Sequence, residues 1–231
     1  MTMNNQIKDL VRNRKLFFQT LLTLVIISTT LLAFFGNPSG SIPSNSHHPF
    51  WLNVFFINYT FMGDGIFAIC LVAIFLFYFK REKEGKAILL AFIFTEIIIQ
   101  LVKNCMNVSR PGIFFEDGQT IFSTGFSATT QYTFLSGHTA IAFALATVFV
   151  TVAKSAWQLP ILAAAVLLGY SRIYLTQHAL GDVLIAAILG TVSGLFAIHF
   201  VYNQANSVAK FLNIFKIRYK DQIPRGSIQT V

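Results

Sequence analysis

An all-α integral membrane protein, a bundle of six transmembrane helices, is the fold this chain predicts, on three observations. Its 231 residues are 55% hydrophobic and only 11% charged, far less charge than a soluble domain carries. Six apolar runs, at about 17–36, 60–79, 87–106, 137–153, 159–176 and 179–202, are each long enough to cross about 30 Å of hydrocarbon as a helix. The third observation is where the cations fall. On a six-span topology, 14 of the 17 Lys and Arg lie on one side: Lys8, Arg12, Arg14, Lys15, Lys80, Arg81, Lys83, Lys86, Lys154, Lys210, Lys216, Arg218, Lys220 and Arg225. The positive-inside rule makes that side cytoplasmic, with both termini on it. Only Lys103, Arg110 and Arg172 fall outside. Little sequence remains for a soluble domain, so 1–231 reads as one membrane domain ending in a basic cytoplasmic tail at 203–231. The net charge of +8 then belongs to the inner membrane surface and calls for no nucleic-acid partner.

Each element has its own reason. The first run is long for the apolar region of a signal peptide. It leads into Phe34-Phe35-Gly36-Asn37-Pro38 in place of a small-residue cleavage site, so it reads as an uncleaved span. Residues 37–59 hold Gly, Pro, Ser and Asn, then His47-His48-Pro49-Phe50-Trp51, a loop and an aromatic segment at the outer interface. Adjacent histidines without nearby acids read as surface in preference to a metal site. Asp64, in Gly63-Asp64-Gly65, opens the second span as a capping carboxylate; the alternative is a partner for an outer basic residue.

Lys80–Lys86 is expected to be a cytoplasmic turn. In the third span Glu96, Gln100 and Lys103 share a helical face, expected to turn into the bundle because lipid disfavours it. Glu96 reads as a lock on helix packing ahead of a catalytic role. Residues 107–135 form the longest outer loop, whose aromatic content suits a lid. Cys70 and Cys105 both fall within spans, which argues against a structural disulfide or a cysteine metal site. His199 reads as structural, and Lys210–Lys220 as a basic amphipathic anchor on the inner surface.

Three clusters share one predicted depth, at the outer ends of spans three to six. The first is Lys103 with Arg110-Pro111, and the second Leu135-Ser136-Gly137-His138-Thr139. The third is Ser171-Arg172 with His178 and Asp182. Ionisable groups next to hydrocarbon are costly and are usually functional. His178 and Asp182 are four apart, so a helix starting near His178 puts them on one face. A carboxylate behind an imidazole fixes its tautomer and makes it a better nucleophile or base. Three cations, two histidines and a Ser-Gly helix start make an oxyanion site, because N–H groups at a helix N-terminus point at an anion. No acidic cluster suited to catalytic magnesium accompanies them, so neither metal nor cofactor is expected.

The pattern Lys-x6-Arg-Pro, Ser-Gly-His, Ser-Arg-x5-His-x3-Asp resembles the three-part signature of the type-2 phosphatidic acid phosphatase superfamily of membrane lipid phosphatases. One departure is visible: Leu135 stands where the second motif usually has proline. The resemblance implies that His178 is the nucleophile, forming a phosphohistidine, with Asp182 orienting its ring. It makes His138 the general acid and then the base. Lys103, Arg110, Arg172, Ser136 and the Gly137 N–H would bind the phosphoryl oxygens, while Ser171 would support the turn or bond the phosphate.

The implied substrate is a lipid phosphate or diphosphate met at the outer leaflet. The sequence does not choose among phosphatidic acid, phosphatidylglycerol phosphate, isoprenyl diphosphate and a lipid A-type substrate. Two rivals remain. A phosphotransferase would pass the phosphoryl group to another lipid. A transporter of an anionic solute would place its site nearer mid-bilayer within repeated halves. The expected location is the cell membrane, with the site on the extracytoplasmic side. Oligomeric state is open.

Overall fold

The computed structural model describes residues 11–35, 49–106, 135–175 and 177–220, with side chains as far as Tyr202. Arg110, the His47–His48 pair and most of the outer loop lie outside these residues. Among the described residues all regular structure is helical: α1 Lys15–Phe35, α2 Phe50–Tyr59, α3 Gly65–Ala73, α4 Glu82–Met106, α5 Gly137–Val152, α6 Gln158–Tyr174 and α7 Leu180–Lys220. A 3-10 turn, Thr60–Gly63, leads out of α2, and a π-turn, Ile74–Tyr78, ends α3. By length and apolarity four helices qualify as membrane crossings, or five when α2 and α3 with their turns are taken as one bent span. The expected fourth crossing, α5, has 16 residues, about 24 Å of helix.

That short helix is the axis of the bundle. Eleven of its residues, from Thr139 to Val150, are buried, and α4, α6 and α7 pack around it. Lipid tails are as apolar as leucine, so helices in a membrane associate by close packing and not by expelling water. The α5–α7 seam is built accordingly. A Cβ on Gly190 would overlap the Ala140 carbonyl oxygen, and one on Gly194 would sit 2.8 Å from that of Ala144. Only glycine lets these backbones meet.

The outermost helix, α1, is the opposite case. Leu22, Ile26, Ile27 and Leu31 are exposed along it, as a lipid-facing surface requires. The hydroxyls of Thr23, Thr29 and Thr30 donate to carbonyls one turn back, so these three are not left bare in hydrocarbon. Its first turn is tied down: the Phe17 N–H donates to Gln158 Oε1 at 3.2 Å, and Arg14 Nη2 to the Thr151 carbonyl at 3.2 Å.

Three expectations are corrected. The second span does not run straight through 60–79. Its helix begins at Phe50, inside the stretch expected as loop and interface, and α2 and α3 meet at 58°. The break falls at Asp64, whose extended backbone (φ −82, ψ 149) cannot continue a helix. Next, most of the expected turn Lys80–Lys86 is helix. Glu82 and Glu84 suit the positive start of α4, and Glu82 pairs with Lys86 at i, i+4. The turn shrinks to Lys80 and Arg81. Finally, the Glu96–Gln100–Lys103 face turns inward only in part. The buried stripe of α4 is Ile88, Ala91, Thr95 and Ile99; Gln100 is exposed, and Glu96 and Lys103 are half-buried at its margins. Small and β-branched residues fill the seam against α5 and α7, which turns Gln100 outward and leaves Glu96 and Lys103 at the edge of the seam.

Candidate active site

Antiparallel neighbours bring four helix termini to one end of the bundle: the last turns of α4 and α6 and the first turns of α5 and α7. The described motif residues sit on or beside these turns, and each is held for a local reason.

Ser136 is the N-cap of α5. Its Oγ accepts from the Thr139 N–H at 3.3 Å and from the Thr139 hydroxyl at 2.8 Å. Both acceptor positions are filled, which leaves its own O–H as a donor. Gly137 follows, with the Lys103 ammonium 4.0 Å from the position a Cβ there would take. Lys103, in the last turn of α4, therefore overlies the backbone at the start of α5. Leu135 precedes them, fully buried with Ile99, Ala140 and Ala186 in an apolar floor beneath the site. Its φ is +74°, an uncommon value for a non-glycine residue. Proline is locked near −65°, so the backbone entering α5 here is one the usual motif cannot adopt.

Arg172 and His178 are joined through the backbone. The Arg172 carbonyl, near the end of α6, accepts from the N–H of Gln177 at 3.0 Å and of His178 at 3.3 Å. This folds the link between α6 and α7 back onto the end of α6, so that Arg172 and His178 stand at the same end of the bundle. The Arg172 side chain is buried, and its Nη1 donates to Thr60 Oγ1 at 2.8 Å. Asp182, in the first turn of α7, reaches back to accept from the Ala179 N–H at 3.2 Å, the return half of a capping box. The same oxygen, Oδ2, lies 3.9 Å from His178 Nδ1. That is ion-pair range and longer than a hydrogen bond.

His138 meets a carboxylate too. Its Nε2 is 3.9 Å from Asp64 Oδ2, and the charges of Arg172, Asp64 and Lys103 all act on its ring. Asp64 caps α3 through its other oxygen, which accepts from the Ile66 N–H at 2.8 Å. Both alternatives weighed for Asp64 are thus realised, with a histidine as the partner.

Ser171 makes the contact expected of its turn-supporting alternative. It is fully buried and its hydroxyl donates to the Leu168 carbonyl at 2.6 Å, so its only proton is committed inside α6. Lys103, Ser136, Gly137, His138, Arg172, His178 and Asp182 gather at one end; Arg110 lies outside the described residues. Thr60 and Gly63 were invisible as site residues in the sequence. Neither belongs to a motif, and each meets its partner across more than seventy positions of chain.

The arrangement suits an oxyanion: a lysine and an arginine, a hydroxyl and a helix N-terminus, with two histidines at the same end of the bundle. Comparison with known proteins agrees with it. The profile of the PAP2 superfamily matches residues 84–206, which contain every motif residue. Among solved structures, Aquifex aeolicus LpxE is similar at 33% identity and a TM-score of 0.58, covering 67% of this chain and 89% of its own. The first transmembrane PAP2 type phosphatidylglycerolphosphate phosphatase from Bacillus subtilis is similar at 21% identity and a TM-score of 0.57. That alignment covers 82% of this chain and 96% of the other, and shows a shared fold. No curated protein matches the sequence.

Proposed function

Because the chain belongs to the PAP2 superfamily of phosphatases, we propose that it is a metal-independent phosphatase of lipid phosphates or diphosphates, acting at the outer face of the membrane through a phosphohistidine. The observation that carries this reading is the convergence of three motif clusters, distant in sequence, on one end of a membrane bundle.

His178 is the nucleophile. With Nδ1 turned toward Asp182, Nε2 is the nitrogen that attacks phosphorus, and the bond to the leaving oxygen breaks as His138 gives that oxygen a proton. His138 then takes a proton from water as the water oxygen attacks the phosphohistidine. The N–P bond breaks and inorganic phosphate leaves. Lys103, Arg110, Arg172, the Ser136 hydroxyl and the Gly137 N–H hold the equatorial oxygens, where charge grows in the transition state. These fixed cations do the work a metal does elsewhere, so activity survives EDTA. Ser171 serves the helix and not the phosphate.

The topology follows from the same reading. Six crossings, with the bent α2–α3 pair as the second and short α5 as the fourth, keep both termini and 14 of 17 cations in the cytoplasm. The site then opens on the extracytoplasmic side, where a phosphorylated headgroup reaches it with its tails still in the bilayer. The single domain spans 1–231 and carries the basic tail at 203–231.

The test is phosphate release in detergent from phosphatidic acid, phosphatidylglycerol phosphate, an isoprenyl diphosphate and a lipid A-type substrate. At least one is hydrolysed by the native chain, and His178→Ala abolishes that hydrolysis. Turnover retained by the variant rejects His178 as the nucleophile.

A further inference from the structure

The bend between α2 and α3 reaches the site through three residues that belong to none of the motifs. Thr60 Oγ1 accepts from Arg172 Nη1 at 2.8 Å. Gly63 lies against the His138 backbone: a Cβ there would come 2.6 Å from the His138 carbonyl oxygen and 2.9 Å from its Cβ. Asp64 then splits its two carboxylate oxygens. Oδ1 is spent on the first turn of α3, which fixes the side chain, and Oδ2 faces His138 Nε2 at 3.9 Å.

We propose that Asp64 is a positioning residue for the proton-transfer step, holding His138 and balancing its charge when the imidazolium forms. The inference rests on the function proposed above. Its physical basis is the company His138 keeps. Among the described residues, Lys103 on α4 and Arg172 on α6 are the cations acting on its ring, and Asp64 is the anion acting with them. Two cations that favour a bound phosphate disfavour a protonated imidazole beside them. A carboxylate at 3.9 Å offsets that repulsion. The separation is too long for a hydrogen bond, so Nε2 keeps its proton for the leaving oxygen while still in the carboxylate field. In the second half-reaction His138 becomes positive again as it takes the proton from water, and Asp64 acts in the same sense.

This role has a signature that a purely structural one lacks. An alkoxide is a poor leaving group and needs the proton, whereas p-nitrophenolate leaves without it. Asp64→Asn removes the charge but retains a good helix cap. In kcat/KM, which covers steps up to departure of the alcohol, Asp64→Asn is expected to lose about tenfold or more on a lipid phosphate, a fraction of the ~10²–10⁴ that general acid catalysis contributes. The loss on p-nitrophenyl phosphate is expected to be several-fold smaller. Asp64→Glu, which restores the carboxylate, recovers the native ratio of the two substrates. An equal loss on both substrates, or none on either, overturns the inference. His178→Ala run alongside separates the two readings: if it still hydrolyses either substrate, the proposed chemistry itself fails, whatever Asp64→Asn does.

Discussion

His178 and His138 each face a carboxylate at 3.9 Å, but the two pairs differ in almost everything else. In the His178–Asp182 pair the side chains are 8% and 14% exposed, and both residues come from one start of helix. In the His138–Asp64 pair they are 34% and 39% exposed, and they join the start of α5 to a bend two elements earlier. The nitrogens differ as well: Nδ1 faces the acid in the first pair, Nε2 in the second. A nucleophile must be held in one orientation and kept from water until phosphorus arrives. An acid–base must meet both a departing alcohol and an arriving water. Under the proposed roles, two similar side-chain pairs are fitted to separate tasks by burial, by chain origin and by which nitrogen meets the acid, as happens where neighbouring titratable groups are given different surroundings.

That contrast can be broken experimentally, beginning with the half-open pair. His138→Ala is expected to lower kcat/KM for a lipid phosphate by about 10³-fold, within the range of general acid catalysis, while p-nitrophenyl phosphate suffers far less. Equal losses would mean that His138 binds phosphate and does not transfer protons. In the buried pair, Asp182→Asn is expected to lose about 10²-fold. That is less than the ~10⁴ lost where a carboxylate fixes an imidazole tautomer through a direct hydrogen bond, because 3.9 Å is not such a bond. Its loss is expected to be similar on both substrates, since it acts through the nucleophile, which both share. The smallest change sharpens the boundary of the site. Ser171→Ala is expected to leave phosphate affinity within about twofold and to cost only about 1 kcal/mol of stability, the net worth of one hydrogen bond. A large rise in KM would return Ser171 to the phosphate.

The same contrast separates what was legible in the sequence from what was not. Local spacing is readable in part: His178 and Asp182, four positions apart, do meet at 3.9 Å, but α7 starts at Leu180, so His178 sits just ahead of the helix and not on its face. Helical class and membrane character were plainer, because hydrocarbon demands long apolar runs whatever their packing. Contacts set by tertiary packing were not. Nothing in Thr60 or Gly63 announces Arg172 or His138, and the 58° break at Asp64 depends on a backbone angle that the flanking glycines permit but do not require. The orientation of α4 was misread for a related reason. Polarity alone turned Gln100 inward, whereas the small residues Ala87 and Ala91 and the β-branched Thr95 and Ile99 made the tighter seam. Leu135 shows a third limit. Its place in the motif flagged altered geometry, but a φ of +74° is sustained by burial in a floor drawn from α4, α5 and α7, which no local pattern encodes.

The claim beneath all of this is that the phosphoryl group rests on His178 before water takes it. Pre-steady-state kinetics of His138→Ala with p-nitrophenyl phosphate tests it most directly, because this substrate phosphorylates the enzyme without an acid while the variant lacks the base for the second step. The account predicts a rapid release of p-nitrophenolate stoichiometric with the protein, then slow turnover, with an acid-labile phosphoryl group on the chain that is lost when His178 is also replaced. A linear time course with no labelled protein, or label that survives replacement of His178, would contradict it.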